Sequence, residues 1–171
     1  MRLILLFLII MPNFLFGQNK SKKNVCVCSV ILAQKQIKVP VLDNKGDTTC
    51  FIMNDTITED YFGINIIKVK HNRALISAYA TLYDTIAKIG WIQIKFLGIY
   101  PSKFTPINLY CKPDIRSKVK STIVKPEYYP FNILDCKGKW LRVSYYDVDK
   151  KKKIGWLSPE DQCSNPYSTC N

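Results

Sequence analysis

The chain has 171 residues, 22% of them charged and 47% hydrophobic, with a formal net charge of +12. That length excludes a large multidomain assembly and accommodates one ordinary domain or two small ones. Only Arg2, Arg73, Arg116 and Arg142 are arginines, so nearly all the positive charge is lysine, which disfavours bidentate phosphate reading and specific nucleic-acid recognition.

Arg2 precedes an apolar run from Leu3 to Met11, and Phe14-Leu15-Phe16 follows before Gly17 and Gln18. This is a signal-peptide layout, expected to be cleaved after Gly17. Pro12-Asn13 interrupts the run short of the roughly 20 apolar residues of a transmembrane anchor. No cysteine stands behind it for lipidation, so no membrane anchor is expected. Residues 18–36 form a lead in which Val25 to Leu32 can add a strand. Export to the periplasm or the exterior permits disulfides.

The rest of the chain reads as two copies of one unit, 37–100 and 107–171. The first runs from Asn65 through His71-Asn72 to Lys88-Ile89-Gly90-Trp91, and the second from Asn132 through Lys137-Gly138 to Lys153-Ile154-Gly155-Trp156. Each predicts a strand, a tight turn, a strand, a longer turn and a strand, rich in β-branched and aromatic residues. In this alignment Ala74 takes the place of Trp140. Gly90 and Gly155, set before a tryptophan, predict a bulge or a close backbone approach. Ile37 to Leu42 and Ile107 to Tyr110 add a strand before each unit, and Tyr100 to Pro106 is the expected connection. The fold class is therefore all-β, with five short strands per module as in a small barrel or sandwich.

All seven cysteines follow the leader. Cys163 and Cys170 bracket a polar, turn-forming hexapeptide and are the first disulfide candidate, with Cys111 and Cys136 the second. Cys26 and Cys28 would share one face of a strand without bridging each other. The odd total leaves at least one thiol free or intermolecular.

Little in the chain points to catalysis. His71 is the single histidine and falls in a predicted turn, where it serves as a surface residue better than as a base for a cysteine nucleophile. Cys26-Val27-Cys28 lacks zinc spacing, and no Gly-rich phosphate loop is present. No enzyme activity, cofactor or metal is expected. Tyr128, Tyr129, Trp140, Tyr145, Tyr146 and Trp156 crowd one small module that cannot bury them all. Lys150 to Lys153 suits an exposed hairpin turn.

Leu109-Tyr110-Cys111-Lys112-Pro113, Gly138-Lys139-Trp140-Leu141-Arg142-Val143 and Ile154-Gly155-Trp156-Leu157 resemble a bacterial SH3-type (SH3b) domain. The tail from Ser158 to Cys170 is similar to the ending of secreted SH3-like proteins of Bacteroidetes. The resemblance implies two tandem five-stranded SH3-like barrels in the envelope or outside the cell, the first divergent. It also implies a peptide groove lined by exposed aromatics, here Tyr128, Tyr129, Trp140, Tyr145 and Tyr146. Asp55-Thr56-Ile57, Asp84-Thr85-Ile86 and Asp47-Thr48-Thr49 resemble threonine O-glycosylation triplets. The expected function is an exported binding module for a peptide, glycopeptide or anionic envelope polymer. The alternative is a structural or assembly protein docking on a larger secreted partner.

Overall fold

A computed structural model of the protein describes residues 25–57, 60–81, 87–165, 167 and 170. The expected leader and the Asp84-Thr85-Ile86 triplet lie outside the described residues. Within them the chain is all-β, with two single-turn 3-10 segments, and no helix is long and apolar enough to cross a membrane.

Among the described residues thirteen strands follow one another: β1 Cys28–Leu32, β2 Val39–Leu42, β3 Thr48–Ile52, β4 Phe62–Lys70, β5 Arg73–Ala80, β6 Lys88–Gln93, β7 Leu97–Pro101, β8 Ile107–Tyr110, β9 Val119–Ile123, β10 Phe131–Lys137, β11 Trp140–Tyr146, β12 Lys152–Leu157 and β13 Gln162–Cys163. Their hydrogen-bonded order is β3-β2-β6-β5-β4-β1-β7-β10-β11-β12-β8-β9, with β13 added to β7. The order is a palindrome about the antiparallel β1–β7 pair, so each half holds the same arrangement of a hairpin, a three-stranded meander and an inner strand. The internal repeat seen in the sequence is thus a repeat of topology.

Alternation drives each meander. Ile64, Ile66, Ala74, Ile76 and Ala78 face inward in one half, and Phe131, Ile133, Leu141, Val143 and Tyr145 in the other, all buried. A bulge recurs at one place in both, between Ile66 and Lys68 and between Ile133 and Asp135, leaving Ile67 and Leu134 unpaired. The registers Lys70↔Arg73 and Lys137↔Trp140 make Arg73, not Ala74, the counterpart of Trp140. Ala74 is instead the counterpart of Leu141. Two-residue turns close both hairpins. His71 and Asn72 both take positive φ, 47° and 60°, the type I′ geometry that suits the twist of a hairpin. The second turn is Gly138-Lys139 rather than Lys137-Gly138, with Gly138 at φ 58°.

Gly90 and Gly155 mark close approaches, as expected. A Cβ at Gly90 would meet the Val41 side chain and stand 2.7 Å from the Leu42 carbonyl, and one at Gly155 would stand 2.7 Å from the Leu109 Cβ. Each meander therefore crosses tightly over the hairpin of its own half.

β7 joins the halves. It pairs with β1, β10 and β13, and all five of its residues are buried. Tyr100 and Pro101 thus belong to a strand, and the irregular connection covers 102–106. One apolar cluster runs through both halves, from Val39 and Ile76 to Leu141 and Leu157, and a small second cluster of Ile31, Tyr100 and Cys163 sits under β13. The lead adds another link: the Val27 N–H donates to the Gly138 carbonyl at 2.8 Å and the Gly138 N–H to the Val25 carbonyl at 2.9 Å. Cys26 is disulfide-bonded to Cys136 across this contact, which corrects the expected Cys111–Cys136 pair, and Cys111 is an exposed free thiol. Cys163–Cys170 forms as expected.

Candidate binding cleft

The β4–β5 turn and the 3-10 segment Ile94–Phe96 of the first half overhang the outward face of β10–β12 in the second. The Ile94 N–H donates to the Asn72 carbonyl at 2.9 Å and fixes turn and segment together. Between them and the sheet lies a cleft of about 640 Å³. Ile94 and Ser144, both buried, line it together with Asn132, and Leu134 reaches it from the bulge. His71, Arg73 and Lys95 line it from the first half, and Tyr146 and Lys152 from the second.

Two depressions share residues with this cleft and extend it into a groove. One, of about 530 Å³, adds Asp43, Asn44, Lys70 and Trp91 to His71 and Arg73. There the Trp91 indole N–H donates to the Asn44 Oδ1 at 2.9 Å, and the Asp43 carboxylate accepts the N–H groups of Lys45, Gly46 and Asp47. Those backbone donors, Asp47 first, hold the Asp43 carboxyl below its usual pKa. The other depression, of about 280 Å³, adds Glu127, Tyr129, Pro130 and Tyr145 to Asn132, Ser144 and Tyr146.

The charge is distributed by position. Among the described residues every fully charged side chain lining the central cleft is cationic, and carboxylates enter only at the two ends, as Asp43 and Glu127. A concave site with this lining attracts anions and repels cations. Among the described residues no cysteine or carboxylate lines the central cleft beside His71. The Cys28 thiol is buried elsewhere, donates to the Gly138 carbonyl at 3.2 Å, and is pushed up to about 11 by burial. Among the described residues no three His, Cys, Asp or Glu side chains gather as a cation site.

The five aromatics expected to bind ligand divide among three places. Tyr129, Tyr145 and Tyr146 surround the third depression. Tyr145 is buried there against Phe131, with ring centroids 4.7 Å apart, and its hydroxyl accepts the Glu127 N–H at 3.0 Å. Tyr146 is exposed, with the Lys152 ammonium 5.8 Å from its ring centroid. Tyr128 stacks on Tyr100 at 4.4 Å, and Trp140 packs edge-on against Tyr110 at 5.6 Å, so neither reaches the groove.

Arg73, Lys95 and Lys152 were not singled out by sequence. Lys152 belonged to the lysine run assigned to a turn, but it opens β12 directly across from Tyr146. Arg73 and Lys95 join the site only because the β1–β7 pair sets the first half over the second. A tight turn followed by a cation, and a cation in the short segment after the Gly-Trp strand, were the available signals.

Searches with the whole chain found no matching family model, curated protein or solved structure.

Proposed function

We propose that the protein is an exported, non-catalytic binding module and that the cleft between its halves holds an anionic ligand of the cell envelope: a peptide, a glycopeptide or a polymer. The observation that carries this reading is the cationic lining of the central cleft, with carboxylates confined, among the described residues, to the ends of the groove. The aromatic rings of Trp91, Tyr129 and Tyr146 along the same groove suit a ligand with apolar faces.

The halves are taken as tandem SH3-like units. A hairpin, a three-stranded meander, a 3-10 turn and a short closing strand follow in that order in each, which supports the assignment. Export is supported by the leader pattern and by two disulfides, Cys26–Cys136 and Cys163–Cys170.

Co-sedimentation with purified peptidoglycan sacculi tests the reading. The protein should pellet with sacculi at low salt and be released as ionic strength rises, because exposed charge pairs are screened over about 8 Å at physiological salt. Protein that stays wholly in solution at low salt contradicts it.

A further inference from the structure

The two meanders have diverged on most of the inward face and at Arg73/Trp140 and Leu75/Arg142 on the outward one, yet one outward row is retained. Registers place Ile64 with Phe131, Ala74 with Leu141, Ile76 with Val143 and Ala78 with Tyr145 on the inward side, all changed, while Ile66 is retained as Ile133. On the outward side the row Asn65↔Ser77↔Ile89 recurs unchanged as Asn132↔Ser144↔Ile154, and Tyr79 recurs as Tyr146. A solvated face should drift fastest, since substitutions there cost little stability. Internal bonding explains only part of the retention: the Asn65 Oδ1 accepts the Ser29 hydroxyl at 2.8 Å, whereas among the described residues Ser77, Asn132 and Ser144 make no side-chain hydrogen bond. Ser144 is only 4% exposed, and its hydroxyl is left to the cleft.

Asn132 and Ser144 of the second row line the cleft described above together with Tyr146, while the first row lies open on β4–β6. We propose that this open face is a second platform for the same ligand, and that the ligand is an anionic glycan chain whose successive units occupy both platforms. This rests on the cleft reading of the preceding section. The two rows face the same side of the sheet, because Ser29 pairs with Asn65, Ile31 two residues on pairs with Gly98, and Gly98 pairs with Asn132. β1 and β7 stand between β4 and β10 in the strand order, and β4 and β10 also contact each other directly, so one chain can reach both rows. Charge agrees: β4, β5 and β6 carry no carboxylate, and Lys68 and Lys70 stand exposed on β4. An exposed tyrosine ring beside an amide and a hydroxyl suits a sugar, which offers an apolar C–H face and a rim of hydroxyls.

Titration calorimetry with digalacturonate and polygalacturonate as probes tests the inference, on the full chain and on Tyr79→Ala, Tyr146→Ala and Lys68→Gln. The inference predicts two equivalents of digalacturonate bound by the parent and one by each tyrosine variant. Polygalacturonate affinity should fall at least about tenfold in Tyr79→Ala, through loss of avidity. Lys68→Gln, at an exposed position, should weaken polygalacturonate binding even if Tyr79→Ala fails to fold. One equivalent in the parent, with Lys68→Gln and any folded Tyr79→Ala unchanged toward both probes, overturns the second platform and leaves the cleft standing. Oligothymidylate binding more tightly than polygalacturonate overturns the glycan assignment. No binding of either galacturonate overturns this inference, and sacculus co-sedimentation then decides the cleft reading independently.

Discussion

Replacing both Cys26 and Cys136 with alanine should destabilise the protein more than any other change in its covalent framework. The bridge spans 110 residues and ties the lead to the second hairpin. In the unfolded chain a loop of that size loses closure entropy worth about 4.7 kcal/mol, whereas the separation of 7 between Cys163 and Cys170 corresponds to roughly 2.5 kcal/mol. The hydrogen bonds of Val25 and Val27 with Gly138 persist in principle without the bridge, so the loss falls chiefly on the unfolded state. Urea unfolding followed by tryptophan fluorescence should therefore show the double variant losing about 4 kcal/mol, and Cys170→Ala about half of that. The melting temperature should fall on the order of 10 °C for the former. Equal losses from the two changes would refute the assignment of Cys26 to Cys136, as would a free-thiol count showing Cys26 unbridged in the purified protein.

Other perturbations have definite outcomes. Gly90→Ala and Gly155→Ala should each cost about 1–3 kcal/mol in the same unfolding assay, because the new methyl meets the crossing hairpin in both halves. A neutral result at either position contradicts the tight crossing. Cys28, with its thiol raised from 9.0 to about 11 by burial, stays protonated when folded while the unfolded chain ionises, so stability present below pH 9 should decline by roughly 2–3 kcal/mol as pH rises to 11. Iodoacetamide at pH 8 should accordingly label exposed Cys111 and spare Cys28, as read by peptide mass spectrometry. The Asp43 carboxyl is depressed by its backbone donors, so its contribution is present above the usual carboxylate pKa and is lost as pH falls through its lowered value. Asp43→Asn should flatten the acid limb of the stability curve, and an unchanged limb counts against that loop geometry.

The sequence shows the meanders well and the junction poorly. Strict alternation and the repeated Gly-Trp pairs expose β4–β6 and β10–β12. β3 and β9 escape notice because they are edge strands whose residues are mostly exposed, and Thr-Thr-Cys-Phe-Ile and Val-Lys-Ser-Thr-Ile carry little alternation. β7 escapes for the opposite reason. Buried on both faces, Leu97-Gly98-Ile99-Tyr100-Pro101 is an unbroken apolar run beside prolines and imitates a linker. Without β7 the halves have no fixed relation, and neither the Cys26–Cys136 bridge nor a cleft with Arg73 facing Tyr146 can be anticipated. The aromatic excess of the second half did point to Tyr129 and Tyr146, but it could not separate them from Trp140, whose partner Tyr110 lies across β12 on β8.

The cleft stands or falls on a charge-matched comparison. Sacculus co-sedimentation should be measured across a salt series for the parent, for Arg73→Gln/Lys95→Gln/Lys152→Gln, and for Lys118→Gln/Lys120→Gln/Lys125→Gln, three exposed lysines outside the groove. Both variants lose the same charge. If the cleft is the site, the first variant should lose most binding at all salt concentrations while the second stays near the parent; equal losses would mean that net charge alone, and not the cleft, holds the polymer.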